Sequence, residues 1–262
     1  MPILSIITIN YNNSKGLQKT MQSVFKQSFK DFEYIVIDGG STDESIAIMQ
    51  QYDNKLAYRV SEKDKGIYDA MNKGIEKATG EYILFLNSGD WLLDENVLQQ
   101  FNEAAKQNRS AIYYGNIHLQ KADNTSSLHQ YPAELNFAFW ENYTINHQAS
   151  FIKRQLFKEL GLYDHNYTLA ADYAFFLTCF MRGKTFEHIN KELVHYALDG
   201  ASSKNETEYQ QQRWLAWSNI IPAHIQQLLK ENNTHQSFMK HRLMRMAEGL
   251  QLQYSRIKKI FK

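Results

Sequence analysis

The chain is poor in several things that decide other folds. It has one cysteine, Cys179, in 262 residues, so no disulfide can close within it, and a reducing compartment suits it. Only three prolines interrupt the backbone. Charge of either sign is not in excess: 29 Lys and Arg stand against 28 Asp and Glu, a net of +1. That balance lacks the basic footprint of a nucleic-acid binder. No apolar run approaches the length that spans a bilayer. The start, MPILSIITINYNN, lacks the basic region and long apolar stretch of a secretory signal and reads as a strand. The expected location is therefore the cytoplasm. No internal repeat and no P-loop pattern occurs. What is present is a 43% hydrophobic composition, enough for one sizeable core with a helical appendage.

Three N-terminal segments share one pattern: LSIITINYNN, FEYIVIDGGSTDES and GEYILFLNSGDWLL. Each is a short apolar run ending in Asp, Asn, Ser and Gly. In an open parallel α/β sheet the strand ends form the ligand crevice, so Asp38, Asp43 and Asp90 are expected to share a cleft. A carboxylate-rich cleft suits a ribose, a base, or a metal that carries a phosphate.

Periodicity predicts strands at Leu4–Ile9, Phe32–Ile37, Leu56–Ser61 and Tyr82–Leu86. Helices are expected at Ser14–Gln27, after a cap at Ser41 or Thr42, and at Ile67–Thr79 with Gly80 as the stop. Alternating strands and helices imply a right-handed, mostly parallel sheet. Further on, Ser110–Gln120 and Ala149–Ile152 read as strands, Arg154–Glu159 as a short helix and Asp172–Arg182 as a buried helix. Lys121–Ser127 reads as a polar turn segment. The aromatic stretch Phe137–Tyr143 fits neither period, and from about Ser203 the chain looks helical.

Taken together, TINYNN, VIDGGSTDES, EKDKGIYDAMNKGIEKATGEYILFLNSGD, HQASFIKRQLF and AADYAF resemble glycosyltransferase family 2, over roughly Pro2 to Ser203. The resemblance implies an α/β GT-A fold and an inverting sugar transferase. Residues 1–202 would form the catalytic domain, with 1–109 as the nucleotide-sugar half and 110–202 as the acceptor half. Residues 203–262 would form a C-terminal helical extension. Thr8 and Tyr11 would lie against the donor's base and ribose, and Asp38 would accept a hydrogen bond from the base. Asp64, Lys65 and Asn72 would continue the donor site, with Asn87 and Ser88 beside the diphosphate. Asp43, at a helix start, reads as structural.

NSGD stands where the family carries its D-x-D metal motif. Asn87 replaces the first acid, Gly89 takes the third position, and Asp90 is the one carboxylate. A magnesium or manganese ion held by Asp90, Asn87 and a late His195 would steady the departing nucleotide. Asp172, opening an apolar helix after Ala171, is the implied general base; an N-cap role is compatible with it. His147 and Gln148 are implied on the acceptor side. Gly200 and Ser202 are read as part of a loop that closes over the diphosphate.

The donor is expected to be a UDP- or GDP-linked sugar. The acceptor would be a saccharide or a lipid-linked sugar of a cell-surface polysaccharide. In the tail, Met239, Leu243, Met246, Leu250, Ile257 and Phe261 form an apolar stripe flanked by Lys240, Arg242, Arg245, Arg256, Lys258, Lys259 and Lys262. Such a helix fits peripheral contact with the inner face of a membrane, docking on the catalytic domain, or pairing with a second chain. Two other function classes stand beside the transferase: a non-catalytic nucleotide- or sugar-binding module, and a nucleotidyltransferase on a related fold.

Overall fold

The computed structural model describes residues 1–120, 125–198 and 205–231. The chain forms two compact units, Met1–Trp217 and Ser218–Lys262.

The first unit is built around a nine-stranded sheet. Its N-terminal half holds β1 (Leu4–Asn10), β2 (Phe32–Asp38), β3 (Tyr58–Ser61) and β4 (Tyr82–Phe85), all paired in parallel in the order β3-β2-β1-β4. The runs LSIITIN and YILF are buried at every position, as a strand covered on both faces must be. Three helices connect these strands: α1 (Ser14–Phe25), α2 (Ser45–Gln51) and α3 (Ile67–Lys77). The buried positions Leu17, Met21 and Val24 of α1, and Met71, Gly74 and Ile75 of α3, recur at helical spacing. Asn13 caps α1, its side chain accepting from the Gly16 amide.

Because β2 and β4 flank β1 on opposite sides, the chain reverses its direction of travel across the sheet at β1. This is the switch point where α/β sheets bind ligands. The Asn13 amide nitrogen donates to the Ser88 carbonyl at 3.0 Å, joining the loops beyond β1 and β4 there.

The second half departs from a purely parallel design. It adds β5 (Trp91–Leu92), α4 (Val97–Gln107), β6 (Ile112–Gln120), β7 (Ser126–His129), α5 (Phe137–Asn142), β8 (Ser150–Lys153), α6 (Gln155–Leu160), α7 (Ala171–Met181) and β9 (Phe186–Ala197). Strand β8 runs antiparallel to β4 and to β6, and β9 returns parallel to β6 and antiparallel to β5. The core between these layers is aromatic. Phe101 of α4 stacks on Phe151 of β8 at 4.0 Å, and Trp140 of α5 is fully buried beside Tyr173, Phe180 and Phe186. Burying each such ring contributes about 1.5–3 kcal/mol. That explains Phe137–Tyr143: its side chains serve packing from a short helix, too brief to show a period.

Several element boundaries differ from expectation. Neither Ser41 nor Thr42 caps α2; Glu44 precedes it, and Asp43 accepts from the Ser45 amide. Helix α3 ends at Lys77, before Gly80, where Ala78 turns extended. Strand β7 occupies part of the expected polar turn. The unit also runs past 202 into α8 (Glu206–Ile220), whose Arg213 and Trp217 are buried. Gln212 holds this helix to the segment before α7, accepting from the Leu169 amide and donating to Thr168 Oγ1. The Arg213 guanidinium lies 4.9 Å over the Tyr173 ring and donates to the Glu141 carbonyl.

In the second unit, residues 223–231 are helical, and Gln226 donates to the carbonyls of Ser218 and Ile221. Gly200, Ser202 and the basic stripe from Met239 to Lys262 lie outside the described residues. Among the described residues, no helix is long and apolar enough to cross a membrane.

Candidate active site

A cleft of about 250 Å³ opens in the first unit where the loop after β4 meets the turn before β8, the start of α7, the end of β9 and the start of α8. Six of the expected site residues line it: Asn87, Ser88, Asp90, His147, Gln148 and Asp172.

Asp172 sits in the first turn of α7, where an acid is favoured by the helix dipole. Its carboxylate accepts from Tyr68 Oη at 2.8 Å, from the Tyr173 amide at 2.9 Å and from His147 Nδ1 at 2.8 Å. Burial pushes this carboxyl up, but the hydrogen bonds from His147, Tyr68 and the Tyr173 amide outweigh it and hold the group below its ordinary value. Asp172 is therefore an ionised carboxylate at neutral pH. The Tyr68 hydroxyl is pushed well above its ordinary value by burial and by the Asp172 charge, so it stays a donor. His147 Nε2 lies 3.2 Å from the Asn87 amide nitrogen.

Asp90 is buried beside this group. One carboxylate oxygen accepts from the Ala197 amide at 2.9 Å and the other from Gln148 Nε2 at 3.2 Å. Its own carbonyl accepts from Thr20 of α1. Gly89, with φ of +107°, makes the tight turn that places Asp90. Two carbonyl oxygens in the same cleft, Asn87 Oδ1 and Gln148 Oε1, are buried without a hydrogen-bond partner among the described residues. Such orphaned oxygens mark the place of an ion or water. With the Asp90 carboxylate they make a hard oxygen set that fits magnesium or manganese. Among the described residues, no three His, Cys, Asp or Glu side chains gather as a metal cluster.

The other expected residues stand elsewhere. Asp38 is fully buried, and its two oxygens accept five hydrogen bonds, from Asn10, Ser41 (hydroxyl and amide), the Gly40 amide and Ser61. Burial pushes its carboxyl up, and the Ser41, Ser61 and Asn10 contacts more than offset this, leaving it below the ordinary range. These contacts tie the ends of β1, β2 and β3 together around Asp38. The Thr8 hydroxyl lies 2.9 Å from the buried Tyr34 hydroxyl. Asn72 fastens α3 to Tyr163, donating to its carbonyl and accepting from its amide. His195 pairs with Trp91 across β5 and β9 and stacks on that ring at 4.6 Å, while its neighbours Tyr196 and Ala197 line the cleft. Asp43 holds the Ser14 and Ser45 amides, in keeping with a structural role. Of Asp38, Asp43 and Asp90, only Asp90 lines the cleft.

Tyr11 and Asp64 form a second locus. A Cβ on Gly39 would lie 2.4 Å from Asp64 Oδ2 and 3.3 Å from Tyr11 Cδ2, so the glycine lets both side chains close over the loop after β2. Tyr11 is 66% exposed. Lys65 contributes its backbone amide to Asp69.

Sequence reasoning missed Tyr68, Tyr196, Tyr209 and Glu206, all of which line the cleft. Tyr68 was hidden inside the apolar period of α3. Tyr209 and Glu206 lie beyond the expected domain boundary, so they were grouped with the appendage.

A mostly parallel α/β sheet flanked by helices, with a cleft beyond the end of β4, has the architecture of the GT-A class of fold. Residues 5–162 match the model for Glycosyl transferase family 2, and the chain belongs to that family. An uncharacterized glycosyltransferase of Mycobacterium tuberculosis is 37% identical over 180 residues, 67% of this chain and 68% of that one. A PGL/p-HBAD biosynthesis glycosyltransferase of Mycobacterium bovis is 33% identical over 183 residues, 68% of this chain and 70% of that one. Among solved structures, S. aureus TarS 1–349 in complex with UDP superposes with a TM-score of 0.66 at 20% identity, over 85% of this chain and 68% of that one. The mannosyltransferase PcManGT from Pyrobaculum calidifontis, in complex with GDP-Man and Mn²⁺, gives 0.65 at 14% identity, over 85% and 66%.

Proposed function

We propose that this chain is an inverting glycosyltransferase that moves a sugar from a nucleoside-diphosphate sugar to a hydroxyl of a saccharide or glycolipid acceptor. The observation that carries the reading is Asp172: ionised, held from two sides by Tyr68 and His147, and facing the cleft. An in-line displacement needs one group to accept the acceptor hydroxyl proton as the new bond forms. Asp172 Oδ2 or Oδ1 would take that proton, with Tyr68 and His147 fixing the carboxylate's orientation. Attack from the face away from the leaving nucleotide inverts the anomeric centre.

Donor binding is assigned to Tyr11 and Asp64. The exposed Tyr11 ring offers a face for the base, and Asp64 takes the acceptor role first expected of Asp38. Lys65 is kept as a candidate near the diphosphate. Asp90, Asn87 Oδ1 and Gln148 Oε1 would hold a divalent cation, which supplies charge to the departing diphosphate. A UDP or GDP donor is supported by what TarS and PcManGT carry in their crystals. A biosynthetic role for the transfer is supported by the mycobacterial relative named as a PGL/p-HBAD biosynthesis glycosyltransferase. Work on such acceptors fits a cytoplasmic enzyme at the inner face of the membrane.

The test is transfer from UDP- and GDP-sugars to a panel of aryl glycosides with Mn²⁺ or Mg²⁺, followed by NMR of the product anomer. Inverted product that disappears in Asp172→Asn supports the reading. Retained configuration would exclude a single displacement. Nucleotide binding with no transfer in either protein would move the binding-module reading ahead.

A further inference from the structure

Asn87 stands where a second carboxylate would make a stronger cation site. An amide can present either its oxygen or its nitrogen, so its usefulness depends on what fixes its orientation. The fixing starts at Asp172. An ionised carboxylate only accepts, so the hydrogen in the 2.8 Å contact must sit on His147 Nδ1. The Asn87 side chain presents its amide nitrogen, Nδ2, to Nε2 at 3.2 Å, and an amide nitrogen only donates, so Nε2 is the acceptor of that contact. With Nδ2 committed, Asn87 Oδ1 is turned away from the histidine and left buried without a partner among the described residues.

We propose that His147 is a positioning residue that orients Asn87 so that its Oδ1 serves a divalent cation, and that it thereby joins the cation ligands to Asp172 in one hydrogen-bonded chain. The three groups come from three elements: Asn87 follows β4, His147 opens the 3-10 turn His147–Ala149, and Asp172 begins α7. With an amide at position 87, these neighbours would still leave the cation a defined oxygen ligand. The cation in this inference rests on the transferase reading above.

The test measures Mn²⁺ affinity by the free-ion EPR signal, with UDP and separately with GDP, and without acceptor, so that turnover plays no part. Variants are His147→Ala, Asn87→Asp and the double. His147→Ala should weaken Mn²⁺ binding about 10–100-fold, the usual cost of losing a partner behind a ligand. Asn87→Asp has an oxygen at both ends of its side chain, so there the His147→Ala change should cost little. His147→Gln, whose amide can donate to Asp172 and accept from Asn87, should recover affinity; it also guards against a simple folding defect. Equal weakening in both backgrounds, or none in either, would overturn the proposal. Transfer that proceeds while wild type retains no Mn²⁺ overturns the proposal and leaves the transferase reading standing. Mn²⁺ coupling as expected, with no transfer from any donor, sinks the transferase reading and upholds this geometry.

Discussion

Asp38 and Asp172 are both buried acids, both held below the ordinary carboxylate range by hydrogen bonds that outweigh burial. Their surroundings differ. Asp38 is 0% exposed and accepts five hydrogen bonds at the end of β2, tying Asn10, Ser41 and Ser61 together. Asp172 accepts three and keeps a face on the cleft. A lowered pKa therefore does not separate a structural acid from a reactive one. Spare acceptor capacity beside an open volume does. The same contrast runs through the two halves of the first unit. The parallel half closes its polar groups around Asp38, apart from the lone oxygen of Asn10. Where the two halves meet, Asn87 after β4 and Gln148 before β8 keep side-chain carbonyls buried at the cleft without a hydrogen-bond partner among the described residues.

The largest effect should come from the reactive acid. Asp172→Asn keeps the shape and removes the proton acceptor, so kcat should fall about 10²–10⁴-fold while the thermal shift with UDP or GDP and Mn²⁺ is retained. A variant with near-normal turnover would remove Asp172 from the chemistry.

Asp38→Ala should act on stability. It strands several buried donors, each costing about 1–3 kcal/mol, so a loss of about 3 kcal/mol or more is expected in urea unfolding. If stability holds and only nucleotide affinity falls, Asp38 belongs to the donor site after all. The pH dependence sharpens this. Asp38's folded pKa is depressed, so its contribution is full above the unfolded value of about 3.9 and disappears as pH falls through the folded value. Urea midpoints measured from pH 6 to 2 should fall less steeply in Asp38→Asn than in wild type.

Asn72→Ala should cost about 1–3 kcal/mol by leaving the Tyr163 amide and carbonyl unpaired, with donor affinity unchanged in the folded fraction. A calorimetric titration with UDP that shows lost affinity at full stability would return Asn72 to the donor site. The smallest change is expected at Tyr11→Ala: stability within about 0.5 kcal/mol, as for other exposed positions. Its nucleotide Kd should rise about 5–10-fold if ring stacking contributes about 1 kcal/mol. No change in Kd would leave the base without its proposed platform.

How far the sequence could be read follows from the kind of signal each residue carries. The runs of β1, β2 and β4 were legible because a strand covered on both faces must be apolar throughout. Residues 87, 88, 90, 147, 148 and 172 were legible through the family resemblance and do share one cleft. Thr8, Asp38 and Asn72 carried the right chemistry, but their partners, Tyr34, Ser61 and Tyr163, come from other parts of the chain. Strand β9 was not foreseen, and with it the cross-strand pairing that stacks His195 on Trp91. Tyr209 and Glu206 went unseen because a helix boundary was taken for a domain boundary.

The sequence by itself determined the alternating β/α order and the family, since these rest on local periodicity and short contiguous motifs. Tertiary structure alone decided which polar groups are spent and which are available. That choice depends on donors and acceptors tens of residues apart meeting within about 3 Å, as His147 meets both Asn87 and Asp172, and no local pattern encodes such a meeting.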